Sequence, residues 1–398
     1  MAVFKDLTTL HCGGLIERLV YPANESELLE IVQPADTDSF LAMGNGSNLL
    51  ASEQIFDGVV VKYVDAHIEV SNFSTHERNE LEDVSPLREV NSLSKLSNNE
   101  HSEFELVRNR FCHMQNSQRL IPAPAFLDAG AGANWDDLVQ SAVSLGSSGY
   151  AALSGIPGTV GGVIAQNAGA FGSEISDLVI SVRAFNRIEG KVRTFTADQL
   201  SLGYRTSGFK KNSDWIIISA KFFLLGPASP STVGFSPTKT VKTKKGSARP
   251  LVVLPENELS ASAIDEIKYQ SLAEHLGVAI GDYVSSSQVR EAVLELRKIK
   301  GVLYDPHDPT TFSAGSFFKN PQVAGRKISA AQLIAQSGIK LGFTLDGKVQ
   351  ISDRNLLVIV NPHSSPAESV LELARYVMQQ VSATTGIQLE PEVQLINF

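Results

Sequence analysis

The sequence predicts an α/β chain, with helices and strands mixed along its length (α+β in detail), that forms more than one domain. Three observations carry that expectation. Helix starts of the capping-box kind alternate with short apolar runs, and glycine-rich loops separate those runs. The chain also has 398 residues and 43% hydrophobic content, enough to bury a core in each of two or three domains.

The elements follow in order. Asn24 with Glu27 three residues on forms a capping-box-like start, and Leu28, Leu29 and Val32 then line one helical face. The apolar runs 40–43 and 59–61 read as buried strands, with the loop Gly44–Leu50 between them. From about 71 to 116 the composition turns to Ser, Asn, Glu and Arg with few periodic apolar positions, which predicts a mobile insertion. Order resumes at 126–130, and Asn134 can cap a helix through Leu138, Val139, Ala142 and Val143 that stops at Gly146. A second irregular stretch, about 226–258, is rich in Pro, Ser, Thr and Lys. Its basic cluster Lys239, Lys242, Lys244, Lys245 and Arg249 reads as a solvated loop, because nothing aromatic or periodic accompanies the charges. Ser329 and Gln332 box the start of a helix stopped by Gly338. Ser365, Pro366 and Glu368 open another, with proline at its first position, that ends by Gly386. A terminal strand over 388–396 would set Glu390, Glu392 and Gln394 on one face.

Composition narrows the function classes. A net charge of −9 argues against nucleic-acid binding, which needs a basic face. No apolar run reaches the roughly 18 residues of a membrane span, and the first residues lack the apolar segment of a secretory signal. The cysteines, Cys12 and Cys112, are far apart, so a disulfide framework is not expected and a reducing cytoplasm is. The eight histidines are scattered without metal-ligand spacing, and no metal site is expected.

The chemistry-bearing signal is glycine. Gly155, Gly158, Gly161, Gly162, Gly169 and Gly172 stand in one tract with Pro157, Gln166 and Asn167, a pattern suited to backbone that comes close to a flat, anionic ligand. The loop Gly44-Asn45-Gly46-Ser47-Asn48-Leu49 and the turn Gly130-Ala131-Gly132-Ala133-Asn134-Trp135 both lack the third glycine of a dinucleotide fingerprint, and there is no P-loop. Taken singly, each glycine segment reads equally as a set of tight turns.

Taken together, these segments resemble the flavin loops of the vanillyl-alcohol-oxidase-like (PCMH-type) FAD fold. The order of motifs is similar to that of the UDP-N-acetylenolpyruvoylglucosamine reductase family. The segments are 44–50, 130–138, 155–172, Gly203-Tyr204-Arg205-Thr206-Ser207-Gly208-Phe209-Lys210, Gly315-Ser316-Phe317-Phe318-Lys319-Asn320-Pro321, and Leu389-Glu390-Pro391-Glu392-Val393. The resemblance implies an FAD-binding domain followed by a C-terminal α/β substrate-binding domain. Its divisions would be 1–65 with 386–398, then 66–300, then 301–385.

It also implies an activity: NADPH-dependent reduction, through FAD, of an enolpyruvyl ether on a UDP-sugar to UDP-N-acetylmuramate in peptidoglycan precursor synthesis. By resemblance Arg205 holds the substrate carboxylate, Ser316 is the proton donor and Glu392 assists it. The cofactor would lie on Gly44, Asn45, Gly46, Ser47, Asn48, Leu49, Gly155, Ile156, Pro157, Gly158, Gly161, Gly162, Asn167 and Gly169. Lys300 would meet the UDP phosphates, Asn320 and Asn355 the substrate, and Tyr269 resembles the tyrosine of a loop that closes over substrate in one type of the family. Thr206 replaces the acidic residue common after the tyrosine–arginine pair.

No histidine or cysteine attachment point stands in these loops, so the FAD is expected to be noncovalent. The partners expected are the UDP-sugar and NADPH, in the cytoplasm. Two alternatives stay open on the sequence: another flavin oxidoreductase of the same fold, acting on an alcohol or lactone, and a non-catalytic sugar-nucleotide-binding protein.

Overall fold

The computed structural model describes residues 1–32, 39–72, 125–224, 239–242, 248–251 and 263–398. The chain divides into two compact units. One comprises Met1–Pro22, Ala35–Tyr63 and Arg297–Phe398; the other comprises Ala23–Pro34 and Val64–Leu296. The insertion expected at 71–116 lies outside the described residues, apart from Ser71 and Asn72. In the one expected at 226–258, the described residues include an antiparallel pair, Lys239–Lys242 with Ala248–Leu251.

The first unit is built from both ends of the chain. Its four-stranded sheet has the order Ala2–Val3, Leu15–Val20, Phe56–Val61, Phe40–Ala42, and the last three strands run parallel. In Phe56–Val61 every residue but Asp57 is buried, the near-continuous apolar pattern of a strand covered on both faces. A strand that periodicity does not reveal, Leu49–Ala51, closes the glycine loop and pairs in parallel with the terminal strand Gln394–Ile396. The regular terminal strand is therefore shorter than expected. At Pro391, which has no N–H to give, only an isolated bridge to Phe318 forms, and pairing there runs through its neighbours.

The C-terminal part adds a three-stranded sheet, Ser313–Ser316, Val358–Val360 and Gln350–Ile351, and the helices Ala330–Gln336 and Ala367–Thr385. One core joins Leu10, Cys12 and Leu50 to Phe317, Phe318 and the apolar face Val370, Leu373, Ala374, Val377 of the long helix. Phe317 and Phe318 are each 1% exposed, and burying each contributes about 2–3 kcal/mol. The long helix starts differently from expectation. Pro366 is the N-cap, and the N–H of Ala367 is taken at 2.8 Å by the Glu53 carboxylate, 314 residues away, instead of by Ser365. The expected stop holds, with Gly386 left-handed at φ 71°.

The second unit carries a five-stranded antiparallel sheet in the order Lys191–Thr196, Val179–Asn186, Trp215–Leu224, Ala125–Gly130, Ile68–Asn72. Asn134 Oδ1 accepts the N–H groups of Asp136 and Asp137 and so starts the helix Trp135–Ser144, which buries Trp135, Leu138, Val139 and Ala142. The short helix Glu25–Ile31 also belongs here: Asn24 Oδ1 caps it by accepting Glu27 N–H, while the Glu27 carboxylate takes the Asn24 side-chain amide and the Ala23 N–H in place of a full capping box; Leu28 is buried, whereas Leu29 is exposed. Two further helices, Gln270–Leu276 and Ser286–Ile299, share a core around Ile267, Val284 and Val293.

Candidate active site

In the second unit the glycine tract is zipped to the turn that precedes the Trp135 helix. Trp135 N–H donates to Gly158 O at 3.1 Å, Val160 to Ala133 O at 2.9 Å and Gly161 to Ala131 O at 2.9 Å. A side chain at Gly161 would place its Cβ 3.1 Å from Ala131 Cβ, which explains why this close approach takes glycine. Gly155 and Gly158 bend the tract with φ of +68° and +137°. Gly155 N–H is bound at 2.6 Å by Asp136 Oδ1, and Gly162 N–H by the Thr159 hydroxyl at 3.3 Å. Several donors of the tract are thus spent on the protein itself. Among the described residues no protein acceptor engages the N–H of Ile156 or Gly158, and Gly162 is exposed beside them. The N–H groups of half-buried Ile156 and buried Gly158, on backbone bent by two positive-φ glycines, suit the anionic, flat portions of a flavin nucleotide.

The far end of the tract organises Arg205. The helix Val160–Gln166 ends at Asn167, left-handed at φ 43° and 1% exposed. Its amide nitrogen donates to Glu174 Oε2 (3.1 Å) and Gly203 O (2.9 Å), while its oxygen accepts from Ser176 N–H. Asn167 thus ties the tract to the Tyr204–Arg205 turn, using both of its amide hydrogens inside the unit. Arg205 Nη2 donates to Gly169 O at 2.7 Å, and a Cβ on Gly169 would lie 3.1 Å from Arg205 Nη1. The guanidinium also stands 5.4 Å from the centre of the Tyr204 ring. Tyr269 lies beside the end of the tract, 49% exposed and edge-on to Phe171 at 5.7 Å. Pro157 and Ile156 are half-buried in the turn.

In the first unit the loop Gly44–Leu49 sits on the N-terminal segment. Gly46, at φ +61°, lies so close that a Cβ would be 2.2 Å from Leu7 O. Asn45 is exposed, Ser47 half-buried, and Asn48 reaches the C-terminal segment: its side chain donates to Glu392 O at 3.3 Å, and its carbonyl accepts Gln394 N–H at 3.0 Å. Glu392 N–H in turn donates to Phe317 O at 2.7 Å, and Lys319 N–H to Glu390 O at 2.9 Å. Ser316, half-buried, is the residue before Phe317 and faces Val358 across the sheet. The structure therefore brings the glycine loop, Ser316 and Glu392 onto one set of paired backbones.

The remaining expected residues carry local duties as well. Asn320 Oδ1 accepts Ala330 N–H at 2.8 Å at the start of a helix, and Asn355 Oδ1 accepts Leu357 N–H at 3.0 Å. Lys300 follows the helix Ser286–Ile299, and burial, then the charge of Arg297, pushes its pKa below the ordinary value. His307 is exposed, with its N–H on Asp305 Oδ1 at 2.9 Å. Sequence reasoning missed Asp136, which holds Gly155 and Arg290 together, and Lys210, whose ammonium lies 3.3 Å from Arg205 O. An available signal for Asp136 is its place two residues after the Asn134 cap. Among the described residues no group of three or more His, Cys, Asp or Glu is arranged to hold a metal ion, and no helix is long and apolar enough to cross a membrane.

A family model described as an FAD binding domain matches residues 99–196, and one described as the UDP-N-acetylenolpyruvoylglucosamine reductase C-terminal domain matches 306–396. The chain is an FAD-binding oxidoreductase. A UDP-N-acetylenolpyruvoylglucosamine reductase from Leifsonia xyli is 30% identical over 98% of this chain and 97% of its own length. One from Cutibacterium acnes is 32% identical over 98% and 88%. The crystal structure of the reductase from Thermus caldophilus superposes with a TM-score of 0.57 at 22% identity, covering 99% of this chain and 97% of that one, a likeness of fold. The chain belongs to the UDP-N-acetylenolpyruvoylglucosamine reductase family.

Proposed function

We propose that this chain reduces UDP-N-acetyl-enolpyruvoylglucosamine to UDP-N-acetylmuramate with Arg205, Ser316 and Glu392 as its catalytic residues. FAD held by this chain and reduced by NADPH would supply the hydride for the terminal carbon of the enolpyruvyl ether. The work of the protein is to hold the substrate carboxylate, stabilise charge as it builds on the adjacent carbon, and give that carbon a proton. Arg205 suits the first two tasks, since a guanidinium binds a carboxylate in fixed geometry and keeps its charge. The Ser316 hydroxyl gives the proton, and Glu392 supports its loss and replacement. A hydroxyl is a weak acid, so such a step needs a shielded site and a nearby partner.

The observation that carries this reading is the hydrogen bond from Glu392 N–H to Phe317 O, at 2.7 Å, which registers Glu392 one residue from Ser316. Glycine backbone at 155–162 supports noncovalent FAD in the second unit, with Gly44–Leu49 as the matching loop of the first. Lys300 is assigned to the UDP phosphates, Asn320 and Asn355 to the sugar nucleotide, and Tyr269 to closure over it. The pairing of Leu49–Ala51 with Gln394–Ile396 supports counting 386–398 with 1–65 as one flavin-binding part, beside 66–300 and a substrate-binding part at 301–385. The reaction is placed in the cytoplasm, where NADPH and nucleotide sugars are made.

The test separates the two halves of the reaction. Ser316→Ala is expected to retain flavin and to be reduced by NADPH at the normal rate, but to lose reoxidation by the enolpyruvyl substrate. Wild-type turnover in that variant would overturn the assignment of the proton donor. A purified chain that holds flavin, yet shows no turnover of the UDP-sugar, would overturn the substrate.

A further inference from the structure

The geometry points to Lys210 as a positioning residue for Arg205, a role that rests on the assignment of Arg205 to the substrate carboxylate. Arg205 has φ +56°, a left-handed conformation that a long L side chain adopts only when its surroundings impose it. The Tyr204–Arg205 turn is closed by two reciprocal backbone bonds, Gly203 N–H to Thr206 O at 3.0 Å and Thr206 N–H to Gly203 O at 3.1 Å. Those bonds fix the ends of the turn and leave the Arg205 peptide group to be oriented by something else.

Lys210 supplies that. Its ammonium donates to Arg205 O at 3.3 Å and also to the side-chain oxygen of Gln166, the last residue of the glycine-tract helix. Lys210 itself is fixed by the short helix Gly208–Lys211. The cap of that helix, Ser207, accepts Lys210 N–H at 3.2 Å and donates to Ala165 O at 2.7 Å. The Arg205 carbonyl is thus referenced to the glycine tract through Lys210, while its guanidinium is referenced to the same tract through Gly169 O. An arginine held at both ends presents its charge to the substrate carboxylate without reorganising, and small misplacements of such a group are costly in rate. Lysine suits this bridge: one ammonium carries three donors, which can serve a carbonyl and an amide oxygen together.

Lys210→Met, which keeps length and removes the donors, tests the idea. It is expected to slow reoxidation by the enolpyruvyl substrate about 10- to 100-fold while the rate of reduction by NADPH stays within about twofold. Lys210→Arg is expected to recover part of the loss. In Lys210→Met, amide hydrogen exchange at Thr206 should quicken, with protection elsewhere in the unit unchanged. Combining Lys210→Met with Arg205→Lys should cost less than the product of the single losses, because both act through one group. Wild-type reoxidation in Lys210→Met, equal losses in both half-reactions, or unaltered exchange at Thr206 would overturn the proposal. Should Lys210→Met not fold, Gln166→Leu, which leaves the lysine unbridged, carries the same expectations and the same overturning outcomes. Arg205→Ala distinguishes the underlying reading: full reoxidation there removes the role of Arg205, whereas a dead Arg205→Ala with a normal Lys210→Met removes only the role of Lys210.

Discussion

Arg290 grips Asp136 with both terminal nitrogens, at 2.7 and 2.8 Å, and the same carboxylate takes the N–H of Gly155 at 2.6 Å. The arginine side chain is 12% exposed and the aspartate 31%, so the fork is partly sheltered from water. One carboxylate thereby fixes the first glycine of the tract to the helix Ser286–Ile299. Asp136→Ala should cost about 2–3 kcal/mol, the size of charge-assisted hydrogen bonds lost from a partly buried pair. It should also weaken flavin retention. Chemical denaturation together with flavin release on dilution measures both, and wild-type flavin affinity at reduced stability would show that the tract keeps its shape without this anchor.

What could be read beforehand was local. Asn24, Asn134 and Ser329 start helices because a short side chain meets an N–H two or three residues on, and that geometry is written in adjacent letters. Glu53 serves Ala367 across 314 residues, and Leu49–Ala51 finds its partner at the other end of the chain in a strand too short to show a period. The site divides in the same way. Motif order singled out Arg205, Ser316 and Glu392, but the backbone pairing of Glu392 with Phe317 and the hold of Lys210 on Arg205 depend on contacts between distant or differently folded segments. Asn320 and Asn355 show the remaining limit, since an amide's partner depends on which N–H the fold brings near it.

The loop of the first unit depends on Gly46. Alanine there meets two penalties, a left-handed backbone and a Cβ 2.2 Å from Leu7 O, and the obstacle is backbone that cannot rotate away. Gly46→Ala should cost more than about 2 kcal/mol, whereas Asn45→Ala, one residue earlier and exposed, should stay within about 0.5 kcal/mol. Thermal unfolding of the two variants makes the comparison, and equal midpoints would show that the loop relaxes away from the N-terminal segment.

Cys12 is 2% exposed inside the core of the first unit. Burial, and next the nearby negative charge of Glu53, pushes its thiol up to about 12, so almost none is thiolate near neutrality. Iodoacetamide should leave the peptide containing Cys12 unmodified in the native protein and modify it fully after denaturation. Rapid native alkylation, read by mass spectrometry, would mean that the core around Leu10 and Phe317 opens on the timescale of the reaction.

Two histidines should give the two units opposite responses to pH. His67 Nδ1 lies 2.8 Å from Asp65 and its Nε2 3.5 Å from Asp128. Burial lowers its pKa, but the hydrogen bonds and charges of Asp65 and Asp128 outweigh burial and raise it above the ordinary 6.5. A raised pKa means that the folded state holds the proton more tightly. The stabilisation is complete below about pH 6.5 and disappears as pH rises through the folded value. His11, in the first unit, lies 3.9 Å from the Phe312 ring and 2.9 Å from the Tyr304 hydroxyl, and burial followed by the charge of Lys5 lowers its pKa. Its stabilisation is complete above about pH 6.5 and disappears as pH falls through the folded value. Urea unfolding followed across this range should show His67→Gln losing stability mainly on the acid side. His11→Asn, whose replacement tolerates the left-handed φ of 51°, should lose it mainly on the alkaline side. Parallel shifts at every pH in either variant would show that the histidine contributes packing alone.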